Sequence, residues 1–188
     1  MIAQSITQLR QLTQHDLLDR WHGCLGEQST HPHNWHTWDT LPLNAKRHVA
    51  WSKGYQVLWL AQRICVPDTL SGYPLSGLTL RLRLGWWAEE AQIFVNGTLV
   101  QTGDLFECSV RLLLTESVCP GDEFVVAIRL VSPGHDDGAL VSSICLYERS
   151  HSPHFDPSFV ADELELLAYS LTTISPDRLN PTEPQQAL

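Results

Sequence analysis

The sequence lacks the features that would place the chain in a membrane or on a nucleic acid. It has no run of ~20 apolar residues, and its first residues show no basic region followed by an apolar core. Basic residues are scarce, with 12 Lys and Arg against 21 Asp and Glu, so the formal net charge is -9. Because no basic patch could release counterions, neither nucleic acid nor an anionic membrane is an expected partner.

Motifs for catalysis are also missing. The chain has no phosphate loop, no GxGxxG, no nucleophile elbow and no HExxH. Adjacent acidic pairs do occur, at Glu89-Glu90, Asp136-Asp137 and Asp162-Glu163. General acid–base catalysis needs two carboxylates that face one substrate across a pocket, which neighbours along a chain do not establish. We interpret these pairs as solvated, and predict no catalytic residue.

The five cysteines give no sign of a disulfide framework. Their number is odd and no pair has CxxC spacing. We expect free thiols in a reducing compartment, and therefore a cytoplasmic protein. Cys65 and Cys145 lie in apolar runs, where a thiol behaves as a small hydrophobic side chain.

A polar, aromatic segment over residues 31–39 invites a metal hypothesis, because imidazole is the commonest metal ligand. Its three histidines are His31, His33 and His36. Pro32 stiffens the segment, and no carboxylate or thiol is placed to close a tetrahedral site. We favour a surface arm whose Trp35 and Trp38 pack against a neighbouring surface, and predict no metal.

The clearest local signal is Asn96-Gly97 between two β-prone runs, 91–95 and 98–100. Both residues tolerate the positive φ of a two-residue type I′ turn, so the sequence predicts a β-hairpin. Over 78–84 four leucines alternate with polar residues, which is typical of a half-buried antiparallel strand. Further strands are predicted over 56–66, 108–114, 123–131 and 139–147. Six to eight strands with regular turns predict a mainly β fold, an antiparallel β-sandwich or jelly roll.

Helices are predicted on both sides of the strands. An apolar stripe at spacings of three and four predicts a helix over 2–21. Its members are Ile2, Ile6, Leu9, Thr13, Leu17 and Trp21. Asp156-Pro157 supplies a cap and a first-turn proline for a second helix that ends at Ser175-Pro176. The face predicted for it comprises Phe159, Val160, Glu163, Leu164, Leu167 and Leu171. We divide the chain into an N-terminal helix and arm (1–49), a sandwich (50–150), and a connector helix and tail (151–188).

Trp86-Trp87 is the pair most suggestive of a ligand, since sugar-binding sandwiches stack pyranose rings on exposed aromatic side chains. Adjacent strand residues point to opposite faces, so at most one of the two can stack a given ligand. The favoured alternative places one tryptophan in the core and the other at a domain interface. The candidate carbohydrate contacts are Trp86, Trp87, Asp136 and Asp137.

Residues from about Trp51 to Tyr147 resemble the galactose-binding-like β-sandwich that accompanies many glycoside hydrolases. The resemblance rests on the strand ending at Val66-Pro67, the alternating strand 78–84, the hairpin and its continuation to Phe106. The run 90–106 is most similar to the N-terminal domain of α-mannosidases of glycoside hydrolase family 38. There too a strand and an Asn/Asp-Gly hairpin lead into Val-Gln-x-x-Asp, here Val100 to Asp104.

This resemblance implies a non-catalytic domain of an α-mannosidase. It further implies a zinc ion on a catalytic domain that would follow residue 188, so no cofactor and no catalytic residue is assigned to these 188 residues. The implied partners are that catalytic domain, further copies of the chain in an oligomer, and carbohydrate. Two alternatives stay open, a stand-alone carbohydrate-binding module and an interaction domain unrelated to sugars.

Overall fold

The computed structural model describes residues 2–28, 34–149 and 156–174. These residues form thirteen strands and two α-helices. The helices are α1 (Ile2–Gln11) and α2 (Pro157–Ile174). The short strands are β1 (Gln14–Asp16), β2 (His22–Leu25), β3 (Asp39–Thr40), β4 (Val49–Trp51), β6 (Thr69–Leu70) and β7 (Tyr73–Pro74). The longer strands are β5 (Val57–Cys65), β8 (Thr79–Trp87), β9 (Glu90–Val95), β10 (Thr98–Asp104), β11 (Ser109–Thr115), β12 (Glu123–Val131) and β13 (Gly138–Glu148).

Two antiparallel sheets pack face to face, and the pair β6–β7 forms a small third sheet. In the five-stranded sheet the order is β1-β13-β8-β11, and β4 also pairs with β13. In the six-stranded sheet the order is β10-β9-β12-β5-β2-β3. The predicted mainly β, antiparallel sandwich with flanking helices is thereby confirmed.

The core lies between the two sheets, and β8 shows how it is built. Leu80, Leu82 and Leu84 are fully buried, and they face apolar residues of β5, β9 and β12. Arg81 and Arg83 lie on the outer side of the sheet, as the alternation predicts. Thr79 differs, since it is buried and its hydroxyl donates to the Glu116 carbonyl at 2.9 Å.

The predicted hairpin is the turn between β9 and β10. Asn96 and Gly97 have φ values of 48° and 82°, which a type I′ turn requires. The Asn96 side chain has a second role, since its Oδ1 accepts a hydrogen bond from the Val125 N–H at 2.9 Å. The turn is thereby tied to the neighbouring strand β12.

The prediction of one helix over 2–21 is wrong beyond Gln11. Thr13, Leu17 and Trp21 are buried in the sandwich, and residues 14–16 pair with β13 as strand β1. A spacing of four residues is a helical turn, but it is also two full alternations of a strand. The apolar spacing alone therefore could not separate the two structures.

The second helix begins as predicted, because Asp156 Oδ1 accepts from the Ser158 N–H at 2.7 Å. The face predicted for this helix is covered only in part in this chain. Phe159 and Leu167 are exposed, whereas Pro157 and Ala161 are buried. The helix packs along α1, and Arg10 of α1 pairs with Asp162 and Glu165 of α2.

All five cysteines are free. Burial raises the pKa of the Cys145 thiol to about 12, which suits an inert core residue. Cys65 is exposed instead of buried, because it points outward at the end of β5. None of the helices in the described ranges has the length and apolar character needed to cross a membrane.

Candidate functional site

An open cleft of ≈ 650 Å³ lies beside Trp87, at the end of β8. The residues that line it come from three parts of the chain: β4 and the loop before it, the end of β8, and the start of β13 with the turn before it. They include Lys46, His48, Trp87, Asp136, Asp137 and Val141. Three of the four residues predicted to contact carbohydrate therefore lie around one cleft.

The two tryptophans separate as strand alternation requires. Trp86 is 3% exposed and packs in the core, where its ring lies against Gly103; a Cβ added there would be 2.5 Å from Trp86 Cζ2. Trp87 is 37% exposed and points away from the core. A ligand on the surface can contact Trp87, and the burial of Trp86 removes it from the candidate site.

The turn that carries the two aspartates is held in place by backbone hydrogen bonds. The Asp137 N–H donates to Asp136 Oδ1 at 2.9 Å, and the Lys53 N–H donates to Asp137 Oδ1 at 3.0 Å. Gly138 follows, and Trp51 packs so closely that a Cβ at Gly138 would lie 2.3 Å from the indole ring. Both carboxylates remain exposed at the mouth of the cleft.

The loop before β4 also lines the cleft, and no sequence motif pointed to it. Asn44 organises this loop, since its Oδ1 accepts hydrogen bonds from the Lys46 and His48 N–H groups at 2.9 and 3.0 Å. Asn44 and Trp87 are far apart in the sequence, and β4 brings them together by pairing with β13. Only this long-range pairing could have revealed that the loop before β4 contributes to the cleft.

The arrangement suits recognition of polyhydroxylated ligands. An indole face offers apolar contact to a sugar ring, the carboxylates accept hydrogen bonds from hydroxyls, and Lys46 can donate. His135 and Asp137 stand at His-x-Asp spacing, and both an imidazole and a carboxylate can ligate zinc. Among the residues that the structure describes, no group of three or more His, Cys, Asp or Glu is arranged to hold a metal ion. His31 and His33 lie outside those residues.

A second cavity, ≈ 640 Å³, lies farther along the same sheet near the start of α2. Four arginines line it: Arg10, Arg83, Arg111 and Arg149. Glu148 pairs with Arg111 and also with Arg81 at 3.2 Å. Arg149 Nε donates to the Tyr73 hydroxyl at 2.9 Å. This cavity was not predicted from the sequence, because it depends on the register of β8, β11 and β13.

The aromatic arm packs against the six-stranded sheet, on the far side of the molecule. Trp35 and Trp38 cover a small cluster on its outer face. The cluster consists of Trp59, Ala61, Phe94 and Ala127. The two tryptophans of the arm therefore pack on the chain's own sheet.

Comparison with known proteins places the fold but gives no family. No family model matches the sequence, and no curated protein matches it. Solved structures do match. A glycosyl hydrolase family 2 member from Bacteroides cellulosilyticus DSM 14838 is 16% identical over 72% of this chain and 20% of its own, with a TM-score of 0.53. A Bacteroides uniformis β-glucuronidase is 15% identical over 72% of this chain and 18% of its own, with a TM-score of 0.52.

At such low identity the similarity establishes the fold alone. The chain spans about a fifth of the length of these enzymes. It therefore has the fold of a β-sandwich domain that occurs within glycoside hydrolases.

Proposed function

We propose that this chain is a non-catalytic domain of a carbohydrate-active protein and that it contacts carbohydrate in the Trp87 cleft. The observation that carries the proposal is that Trp87, Asp136 and Asp137 line one cleft of a sandwich with this fold. Among the described residues, no group of three or more His, Cys, Asp or Glu is arranged to hold a metal ion.

The finer assignment, to a family 38 α-mannosidase, rests on the resemblance of residues 90–106. The similar solved structures are family 2 hydrolases, and some are named β-glucuronidases. A test must therefore offer both mannosides and glucuronides. A zinc ion on a separate catalytic domain, and packing of this chain against that domain, belong to the α-mannosidase hypothesis.

Calorimetric titration of the chain with α- and β-linked mannosides and glucuronides tests the binding role. We expect about millimolar or tighter affinity for at least one of them, which is the range of a small contact. Trp87→Ala should abolish this binding. Tyr169→Ala is the matched control, because it removes an exposed aromatic ring from α2, outside the cleft.

If none of these sugars binds, the binding role is contradicted. It is also contradicted if the binding survives Trp87→Ala. Catalysis is tested separately with nitrophenyl mannosides and glucuronides. Turnover by the pure chain would contradict the non-catalytic assignment.

A role in protein interaction is the second candidate, and α2 favours it. Leu166, Leu167, Tyr169 and Ile174 are each more than half exposed on this helix. Exposed apolar patches commonly mark contact surfaces. Sedimentation velocity over a range of concentrations measures self-association. Association that Leu166→Glu with Leu167→Glu abolishes, and Trp87→Ala preserves, would favour this role; a monomer at every concentration would contradict a homo-oligomer.

A further inference from the structure

The outer face of the five-stranded sheet continues from the Trp87 cleft along β8. Trp87, Gly85 and Arg83 alternate along the strand, so all three lie on this outer face. Four residues of an extended strand separate Trp87 from Arg83 by ~13 Å. The aromatic side chain and the arginine are therefore the two ends of one surface, which we call the β8 face.

The centre of the β8 face has no large side chain. Gly85 pairs with Ser142 of β13 on one side and with Ser109 of β11 on the other. A Cβ added at Gly85 would lie 2.8 Å from Ser142 Oγ, so the serine closes over the glycine. The floor between Trp87 and Arg83 is thus low and carries hydroxyl groups on both sides.

Arg83 lies in an unusual electrostatic position. It pairs directly with Arg111 across β8 and β11, and like charges in directly opposite positions destabilise a sheet. Glu148 neutralises Arg111 through an ion pair. The Arg83 side chain makes neither a hydrogen bond nor an ion pair with any residue in the described ranges. One positive charge of this pair is left without a partner.

The other charged groups of the adjoining cavity are already engaged. Asp162 pairs with Arg10, and Asp156 caps α2 through the Ser158 N–H. Arg149 lies over the Tyr73 ring, with its guanidinium carbon 5.7 Å from the ring centroid. No carboxylate of the cavity is therefore free to approach Arg83.

We propose that the β8 face binds an acidic oligosaccharide, with one sugar ring on Trp87 and a sugar carboxylate on Arg83. The guanidinium fork matches a carboxylate in a bidentate geometry, and such charge-assisted pairs are the stronger hydrogen bonds. Arg111 lies beside Arg83 but is already paired with Glu148, so the carboxylate is assigned to Arg83 alone. The proposal rests on the carbohydrate-binding role and adds the class of ligand.

Two tetrasaccharides that differ only at C6 provide the test. β-1,4-Mannotetraose is neutral, whereas the β-1,4-linked mannuronate tetrasaccharide carries a carboxylate on every ring. Calorimetry at low ionic strength should show that the mannuronate binds about tenfold more tightly. The preference should decrease as salt is added, since the contact is exposed.

Variants assign the preference to its residue. Arg83→Gln should reduce the ratio of the two affinities to about one. Arg63→Gln is the control for net charge, because Arg63 is an exposed arginine on β5 of the other sheet. It should leave the ratio as it is in the wild-type chain. Trp87→Ala should weaken binding of both sugars.

The outcomes separate this proposal from the binding role on which it rests. If neither tetrasaccharide binds, the binding role fails for these ligands and the acidic preference fails with it. If both bind equally, or if the preference survives Arg83→Gln, only the acidic preference is overturned. Equally tight binding of tetraglutamate, insensitive to Trp87→Ala, would also overturn it, because the face would then recognise charge on a peptide.

Discussion

The two sheets of the sandwich differ in what covers their outer faces. On the six-stranded sheet, Trp59 and Phe94 stack with their ring centroids 5.7 Å apart, and the aromatic arm packs over them. On the five-stranded sheet, the helices α1 and α2 lie near one end, and β8 presents Arg83 and Trp87 to solvent. One outer face is therefore a second small core, and the other is an accessible surface.

In both sheets the residues of a strand point alternately to the core and to the outer face, but the two outer faces differ in chemistry. An apolar outer face must be covered, and Trp35 and Trp38 of the arm provide the cover. An outer face with serines and arginines can remain in water, so it is available to a ligand. Each face also carries a prominent arginine. Arg129 is paired with Glu27 and Glu90, whereas Arg83 opposes another arginine.

The largest expected effect is on the covered face. Trp59 is 2% exposed, so Trp59→Ala should lower the free energy of unfolding by about 3 to 5 kcal/mol. Trp87→Ala on the open face should cost only about 1 kcal/mol, because over a third of the side chain is in solvent. Urea denaturation of the two variants measures the difference. Equal losses would show that the two faces are not distinct.

The sequence was sufficient where one local signal had one structural meaning. Asn96-Gly97 predicted the hairpin, and the leucines of 78–84 predicted which side of β8 is buried. It was insufficient where one spacing fits two structures. Thr13, Leu17 and Trp21 extend a helical stripe, yet they are buried by the sandwich after α1 ends.

The candidate site was predictable only in pieces. Trp87 could be chosen as an exposed aromatic residue, and Asp136 and Asp137 as members of a turn. Their common cleft depends on the pairing of β13 with β8, which no local pattern contains. The opposition of Arg83 and Arg111 is a consequence of register in the same way. The acidic preference therefore could not be inferred before the register was known.

Replacing Arg129 tests the paired arginine of the covered face. Its Nε donates to Glu27 Oε2 at 3.1 Å, and its Nη1 to Glu90 Oε2 at 3.3 Å. Arg129→Gln should lower the free energy of unfolding by about 1 kcal/mol at neutral pH, since both glutamates are largely exposed.

The stability difference between wild type and Arg129→Gln should depend on pH. The hydrogen bond from Arg129 lowers the pKa of Glu27 below its ordinary value of 4.5. The stabilisation is therefore fully present above pH 4.5 and is lost as the pH falls through the lower pKa of the folded state. The difference between wild type and variant should shrink in acid. A difference that persists unchanged there would exclude the ion pairs as its source.

A smaller effect is expected from His15 of β1, at the edge of the five-stranded sheet. Burial, with Arg20 nearby, lowers the pKa of His15 below its ordinary value of 6.5. Below pH 6.5 the unfolded chain binds the proton more readily, so this residue makes stability fall as the pH drops. His15→Gln should flatten the dependence of Tm on pH between about 5 and 7. An unchanged slope would show that His15 is accessible to protons in the folded state.

The smallest expected change in the free energy of unfolding is at Arg83. Its sign is opposite to that expected for the replacements on the covered face. Because Arg83 lies opposite Arg111 and has no acidic partner in the described ranges, Arg83→Gln should raise the free energy of unfolding by about 0.2 to 0.5 kcal/mol. The gain should diminish with salt, since both guanidinium groups are exposed. Arg111→Gln is the matched control and should give no gain, because it also removes the ion pair with Glu148. A loss of stability in Arg83→Gln would mean that this arginine supports the fold, and the open face would then resemble the covered one.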